Sequence, residues 1–347
     1  MDQYPLISVI LPIRNEESTI ERCLRAVLLQ DYPAERMEVI VADGCSEDRT
    51  REIVKALQAN HPNLILIDNP GRIVPTGLNA ALRTARGEII VRVDGHTLIT
   101  PGYVRACVEA LHRSGADNVG GRMNAIGRTP FGQAVSIATS SPFGVGSARF
   151  HYSEAEELVD TVYMGAWKRE VFERNGLFDE ELIRDQDDEF NYRLRERGGK
   201  ILLSPAIQSQ YTGRSTPKAL WKQYFQYGLW KVRVLQKHPR QMSWRQFIPP
   251  LFAFSLIVTG SWGLFSRIGR MLLALAVGSY LVANLGASLY IASQRGWEHL
   301  TRLPQTFAIL HLSYGLGFLT GLVKFWNRWG DKEGRVPESK GPEQEVS

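Results

Sequence analysis

Carboxylates set just beyond apolar runs are the first residues in this sequence with chemistry to offer. Asp43 follows the run Met37 to Ala42, and Asp94 follows the run Glu88 to Val93. Both runs read as strands, and open parallel sheets bind ligands beyond the carboxyl ends of their strands, so the two carboxylates are expected to face one crevice. His96 stands two residues past Asp94, and a denser group, Asp185-Gln186-Asp187-Asp188-Glu189, opens a helical periodicity further on. Acidic residues in a first helical turn also complement the helix dipole, so part of that group has a purely structural use.

These residues sit inside ordered motifs. Ile7-Ser8-Val9-Ile10-Leu11-Pro12-Ile13-Arg14-Asn15-Glu16-Glu17 is followed by Val41-Ala42-Asp43-Gly44-Cys45-Ser46-Glu47-Asp48-Arg49-Thr50. Pro12 ends the first strand and exposes the backbone after it, Gly44 permits a tight turn, and Ser46 or Asp48 caps the next helix. Pro75-Thr76-Gly77-Leu78-Asn79, then Val91-Arg92-Val93-Asp94-Gly95-His96, then Asp185 through Leu194 complete the order. Together they resemble family 2 glycosyltransferases from Ile7 through Trp230, and the Asp-Gly-His variant resembles the transferases that build succinoglycan-type exopolysaccharides.

That resemblance implies an α/β fold of the GT-A type, a Rossmann-like, mostly parallel mixed sheet with helices on both faces. It implies donor-nucleotide contacts at Pro12, Arg14, Glu16, Asp43, Asn79 and Asp94, with Asp43 accepting the imino N–H of uracil or guanine. Arg72 is a further candidate donor contact. Asp94 and His96 occupy the place of the family's Asp-x-Asp signature, which holds a divalent ion against the donor diphosphate; Mn²⁺ or Mg²⁺ is the implied cofactor. Imidazole nitrogen in place of a carboxylate oxygen suits Mn²⁺ better. Asp187 matches the family's catalytic base when the motif is aligned back from Glu189-Phe190, with Gln186 where the family has Glu. A single base opposite the leaving group predicts inversion at the anomeric carbon. Gln226-Tyr227-Gly228-Leu229-Trp230 resembles the Gln-x-x-Arg-Trp box of processive synthases, with Leu229 in place of Arg, which implies a single-addition enzyme. The implied partners are a nucleotide-diphosphate sugar, a UDP-sugar by preference, a lipid-linked saccharide acceptor in cell-surface or exopolysaccharide biosynthesis, a membrane, and other polysaccharide-assembly proteins. A polyprenyl phosphate receiving the sugar directly, and a degenerate non-catalytic membrane scaffold, are the alternative readings.

The elements that must position these residues follow from periodicity. From Leu6 to Leu203 short β-branched runs alternate with helical patterns, as in a mostly parallel sheet with crossover helices. Ile20, Leu24, Val27 and Leu28 share one face of the first helix. Trp167, near Gly165 and Ala166, suits either a pyranose face or a core. From Phe247 the composition changes, with apolar stretches at Ile248 to Phe265, Met271 to Ala292 and Leu303 to Phe325, each near the ~20 residues a spanning helix needs. Three spans would carry Lys324, Arg328, Lys332 and Arg335 away from the catalytic side, against the positive-inside bias, so two to three membrane helices are expected. The resulting partition is a transferase domain over 1–215, a membrane-surface or buried connecting segment over 216–247, a hydrophobic region over 248–326, and a charged tail over 327–347 that reads as disordered.

Bulk properties agree. Cys23, Cys45 and Cys107 make an odd count without zinc-type spacing, which points to a reducing compartment. The formal charge of +5 thickens between Lys218 and Arg245, before the apolar region, which fits anionic headgroups and not nucleic acid. Met1 to Pro5 shows no basic stretch leading into an apolar run, so no signal peptide is expected. The expected location is the cytoplasmic membrane, multi-pass, with the catalytic domain in the cytosol. A sugar nucleotidyltransferase is excluded by the missing Gly-x-Gly-Thr-Arg opening after the first strand.

Overall fold

The computed structural model describes residues 4–146, 148–332 and 334–337. In chain order its principal elements are β1 (Ile7–Ile13), α1 (Ile20–Leu28), β2 (Met37–Asp43), α2 (Thr50–Gln58), β3 (Leu64–Asp68), α3 (Val74–Thr84), β4 (Ile89–Arg92), β5 (Thr97–Ile99), α4 (Tyr103–Ser114) and β6 (Asn118–Ile126). There follow α5 (Pro130–Thr139), α6 (Pro142–Val145), β7 (Glu157–Leu158), β8 (Tyr163–Lys168), α7 (Glu170–Asn175), α8 (Gln186–Glu196) and β9 (Ile201–Thr212). The chain closes with α9 (Pro217–Lys237), α10 (Ile248–Gly263), α11 (Arg267–Arg295) and α12 (Leu303–Lys324). Two compact units result. The first takes its described residues from Met1–Asn124, Tyr152–Tyr211 and Gly334–Ser347, the second from Ala125–His151 and Thr212–Glu333.

The first unit is built on a nine-stranded sheet of order β3-β2-β1-β4-β8-β6-β9-β5, with β7 added on β9. β1, β2, β3 and β4 are parallel, whereas β8 pairs antiparallel with both β4 and β6, so the sheet is mixed. All seven residues of β2 are buried, as a strand covered on both faces requires, and this explains its unbroken apolar run. The register sets Ile13 beside Asp43 and Ile10 beside Arg92, which brings the carboxyl ends of β1, β2 and β4 to one edge. On α1 the buried side chains are Ile20, Cys23, Leu24 and Val27. Part of the C-terminal tail also belongs here. The Leu177 N–H donates to the Pro337 carbonyl at 3.2 Å, the Glu180 N–H to the Arg335 carbonyl at 2.9 Å, and the Arg335 N–H to the Asp179 carboxylate at 2.9 Å. The rest of the tail, over 338–347, lies outside the described residues.

The second unit is helical, and it includes the segment 125–151, which lies within the stretch 1–215 expected to form the transferase domain. Val135 and Ala138 of α5 give the physical reason, because they pack with Leu220, Phe307 and Leu310 in one apolar cluster. α9 and α12 approach closely through small residues: a Cβ on Gly228 would sit 2.0 Å from the Tyr314 carbonyl oxygen, and one on Gly317 2.1 Å from that of Phe225. Leu229 and Trp230 are therefore helix-packing residues. The C-terminal half of α9 is also interior, with Lys231, Arg233 and Lys237 buried, and Arg233 donates to Gln236 at 2.7 Å. α11 and α12 are long and apolar enough to cross a membrane; α11 is almost fully exposed and α12 is half buried within the unit. All three cysteines are unpaired.

Candidate active site

Two loops at the edge of the sheet are clasped together. After β1, the Asn15 N–H donates to the Ser46 hydroxyl at 2.9 Å, the Glu16 N–H to Thr50 at 2.7 Å and the Glu17 N–H to Asp48 at 3.1 Å. In return the Glu47 N–H donates to Asn15 Oδ1 at 2.8 Å and the Arg49 N–H to Glu17 at 3.2 Å. Asn15 and Cys45 both hold φ at 55°, a left-handed conformation uncommon outside glycine. The clasp sustains that local strain. Within it Asp43 is fully buried, and its carboxylate accepts from the Ser46 hydroxyl at 2.6 Å, the Ser46 N–H at 3.2 Å and Arg51 at 3.1 Å. Arg51 also pairs with Asp68 at 2.6 Å. Asp43 thereby organises the turn into α2.

Beyond β4, Asp94 is gripped by Arg92, the last residue of that strand. Arg92 Nε donates to Asp94 Oδ1 at 2.9 Å and Nη2 lies 3.4 Å from Oδ2, while Arg92 Nη1 is buried with no hydrogen-bond partner. Burial works against the Arg92 charge, and the fields of Asp94 and Asp187 more than offset it. His96 is half-buried, with Nδ1 3.1 Å from Glu16 Oε1 and its ring edge-on to Tyr211 at 5.5 Å. The other Glu16 oxygen accepts from Thr19 at 2.8 Å. Thr97 and Tyr163 share a hydrogen bond of 2.6 Å one residue past His96.

Asp187 lies in the first turn of α8, after Asp185, which takes φ of 60° at the helix start. Burial pushes the Asp187 carboxyl up; Arg92 opposes that shift, and Asp188 and Asp94 add to it. Asp94, Arg92 and Asp187 thus form one electrostatic group. Glu189, in the same acidic run, has a different use: it is buried and pairs with Arg193 through contacts of 2.8 and 3.0 Å. Arg193 also donates to the carbonyls of Leu177, at 2.8 Å, and Asn175, which fixes the foot of α8.

Of the residues expected at the site, His96 and Glu16 are in contact, and Asp94 and Asp187 both feel the field of Arg92. Pro12 is half-buried at the end of β1, and Arg14 is exposed beside Glu47 at 3.8 Å. Asn79 is not brought to the site in this state. It is fully buried, accepts from the Phe178 N–H at 2.9 Å, and donates to the Phe178 carbonyl at 2.8 Å and Glu180 at 2.9 Å. Trp167 is likewise core, packed edge-on against Phe172, Phe178 and Phe190. The residue that sequence reasoning passed over is Arg92. Its signal was present, since a strand places residues i and i+2 on one face and Arg92 precedes Asp94 by two.

A parallel half-sheet with carboxylates at its ends, continued by antiparallel strands and an acidic helix start, is the architecture of the GT-A nucleotide-sugar transferases. The model described as Glycosyl transferase family 2 matches residues 8–176. The chain carries a family 2 glycosyltransferase domain and is a glycosyltransferase. It is 28% identical over 326 residues, 92% of this chain and 97% of the relative, to the dolichyl N-acetyl-alpha-D-glucosaminyl phosphate 3-beta-D-2,3-diacetamido-2,3-dideoxy-beta-D-glucuronosyltransferase of Methanococcus voltae. It is 26% identical to the succinoglycan biosynthesis protein ExoA of Rhizobium meliloti (strain 1021), over 92% of this chain and 96% of that one. The mannosyltransferase PcManGT from Pyrobaculum calidifontis, solved in complex with GDP-Man and Mn²⁺, shares the fold with a TM-score of 0.60 at 21% identity, covering 93% of this chain and 88% of that one. Asp187 falls beyond the matched segment.

Proposed function

We propose that this enzyme moves a sugar from a nucleotide-diphosphate donor, a UDP-sugar by preference, to a lipid-linked saccharide at the cytosolic face of a membrane during cell-surface polysaccharide assembly, with inversion. The observation that carries the reading is the electrostatic group of Asp94, Arg92 and Asp187. A half-buried carboxylate whose pKa is raised is a stronger base once ionised, which suits Asp187 to take the acceptor hydroxyl's proton. As that oxygen bonds to the anomeric carbon, the bond to the diphosphate breaks and its electron pair leaves with the nucleoside diphosphate. The unpartnered Nη1 of Arg92 offers a donor to the charge that develops there.

A divalent ion, Mn²⁺ or Mg²⁺, would be held by Asp94 and His96. Among the described residues no group of three or more His, Cys, Asp or Glu side chains suits a metal, and both Asp94 oxygens face Arg92. This donor set fits a site that the donor diphosphate helps to complete and does not fit a standing metal centre. When bound, such an ion supplies Lewis-acid stabilisation of the leaving diphosphate. Glu16 orients the His96 ring through Nδ1. Membrane attachment is supported by the exposed apolar length of α11, and the acceptor class by the relatives named for a dolichyl phosphate substrate and for succinoglycan biosynthesis.

The test is calorimetric titration of UDP and GDP with and without Mn²⁺ into the wild type, Asp94→Ala and Asp187→Asn. Metal-dependent binding of one nucleotide is expected, lost in Asp94→Ala and kept in Asp187→Asn, with transfer by the latter down ~10²- to 10⁴-fold. If folded protein binds neither nucleotide, the non-catalytic scaffold takes the place of this reading.

A further inference from the structure

Both ends of the long excursion 212–333 are tied to the first unit. At its start the chain leaves β9, a strand of the sheet, and at its end residues 335–337 hydrogen-bond to the turn 177–180. From this we infer that the chain enters the bilayer and comes back: the α10–α11 hairpin is the lipid-embedded element, the number of crossings is even, and the basic tail lies on the same face as Asp94 and Asp187. The inference rests on the membrane attachment proposed above and goes beyond it by assigning sidedness.

Composition and exposure identify the hairpin as the inserted part. Residues 271–294 of α11 contain no Asp, Glu, Lys, Arg or His. At 1.5 Å per residue that stretch is ~36 Å long, more than the ~30 Å of a hydrocarbon core. Met271, Leu275, Leu281, Val282, Leu285 and Tyr290 are exposed along it. A helix lying on a membrane surface carries a charged face, and this stretch has none, so acyl chains are the medium that fits it. The companion stretch 246–266, which contains α10, is also free of charged residues and exposes Leu251, Phe254, Ile257 and Trp262. Phe252 stacks on Tyr280 at 4.5 Å, and Arg270 at the other end donates to the Gly263 carbonyl at 3.0 Å, so the two helices run antiparallel.

α12 is different. One side of it is covered by α9, whose buried Lys231, Arg233 and Lys237 do not belong in hydrocarbon, and His311 contacts the Phe143 carbonyl of α6 at 2.8 Å. α12 is thus shared: it lies on α9, and it also meets α11, with His311 Nδ1 3.1 Å from the Tyr280 hydroxyl and the Pro304 carbonyl accepting from Asn284 at 3.0 Å, so the hairpin goes out and returns along its flank. An odd number of crossings would place Lys324, Arg328, Lys332 and Arg335 on the far side; a return keeps these four on the catalytic side, where the positive-inside bias puts basic residues, and leaves Arg267 and Arg270 at the hairpin turn on the other.

The test uses the full chain in cells, with Cys45→Ser as background because Cys23 and Cys107 are buried, and with Lys55→Cys or Ser347→Cys added. Lys55 marks the first unit. A membrane-impermeant maleimide is expected to leave both positions unlabelled in intact cells and to label both once the membrane is opened. Labelling of one position and not the other in intact cells overturns the inference. A chain that stays soluble after lysis overturns the membrane attachment itself, so the two failures are distinguishable.

Discussion

Replacing Asn79 by alanine separates two roles that the sequence leaves open for it. As a donor contact, Asn79 would affect KM and leave stability alone. In the structure its amide instead satisfies both backbone groups of Phe178 and reaches Glu180, all from a fully buried position. Asn79→Ala orphans the Phe178 N–H and carbonyl. Each unsatisfied buried group costs ~1–3 kcal/mol, so the pair costs ~2–6 kcal/mol, centred near ~4 kcal/mol. For a domain of ~150–250 residues each kcal/mol lowers Tm by ~2–4 °C, which sets the expected fall at ~8–16 °C. The assay is thermal unfolding of the purified full chain, followed by UDP titration well below the transition. A fall in that range with UDP affinity changed less than ~3-fold, under ~0.7 kcal/mol, is the expected result. An unmoved transition with donor affinity lost would refute the reasoning and return Asn79 to the donor.

Two further predictions concern α8. On the proposed assignment transfer needs ionised Asp187, whose pKa burial raises, so the acid limb of kcat/KM is expected above the ordinary carboxylate value. Asp188→Asn removes a like charge and should move that limb down, while an unmoved or rising limb contradicts the assignment. For stability the sign is the reverse: the fold favours protonated Asp187, a contribution present below the unfolded pKa and lost as pH rises through the raised one. Arg193→Met leaves Glu189 buried without its cation and should cost ~3–5 kcal/mol, measured by denaturant unfolding, with most of the loss recovered in Glu189→Leu/Arg193→Met.

What was legible in the sequence followed local pattern. Asp43 and Asp94 were placed by the strands they terminate, and α1 by the spacing of its apolar face. The bond of Asn79 to Phe178 was not legible, because the two lie 99 residues apart and no local pattern reports such a contact. Glu189 looked like its acidic neighbours until Arg193 was seen buried against it. The cationic half of α9 read as well for a membrane surface as for an interior, since the packing that decides it involves α12, and Asp331, 3.6 Å from Arg233, comes from far downstream.

The turn 177–180 is held from two directions, by Asn79 upstream and by residues 335–337 from the far end of the chain. Ribosomes release a polypeptide from its N-terminus, and domains tend to fold as they emerge. Here the turn 177–180 cannot receive its last hydrogen bonds until the whole excursion 212–333 has been synthesised and residue 337 has left the exit tunnel. The hydrophobic hairpin is therefore translated before that turn beside α8 is completed. A nascent chain stalled anywhere before residue 335 would carry Asp94 and Asp187 but leave the Glu180 N–H without the carbonyl it meets in the finished enzyme.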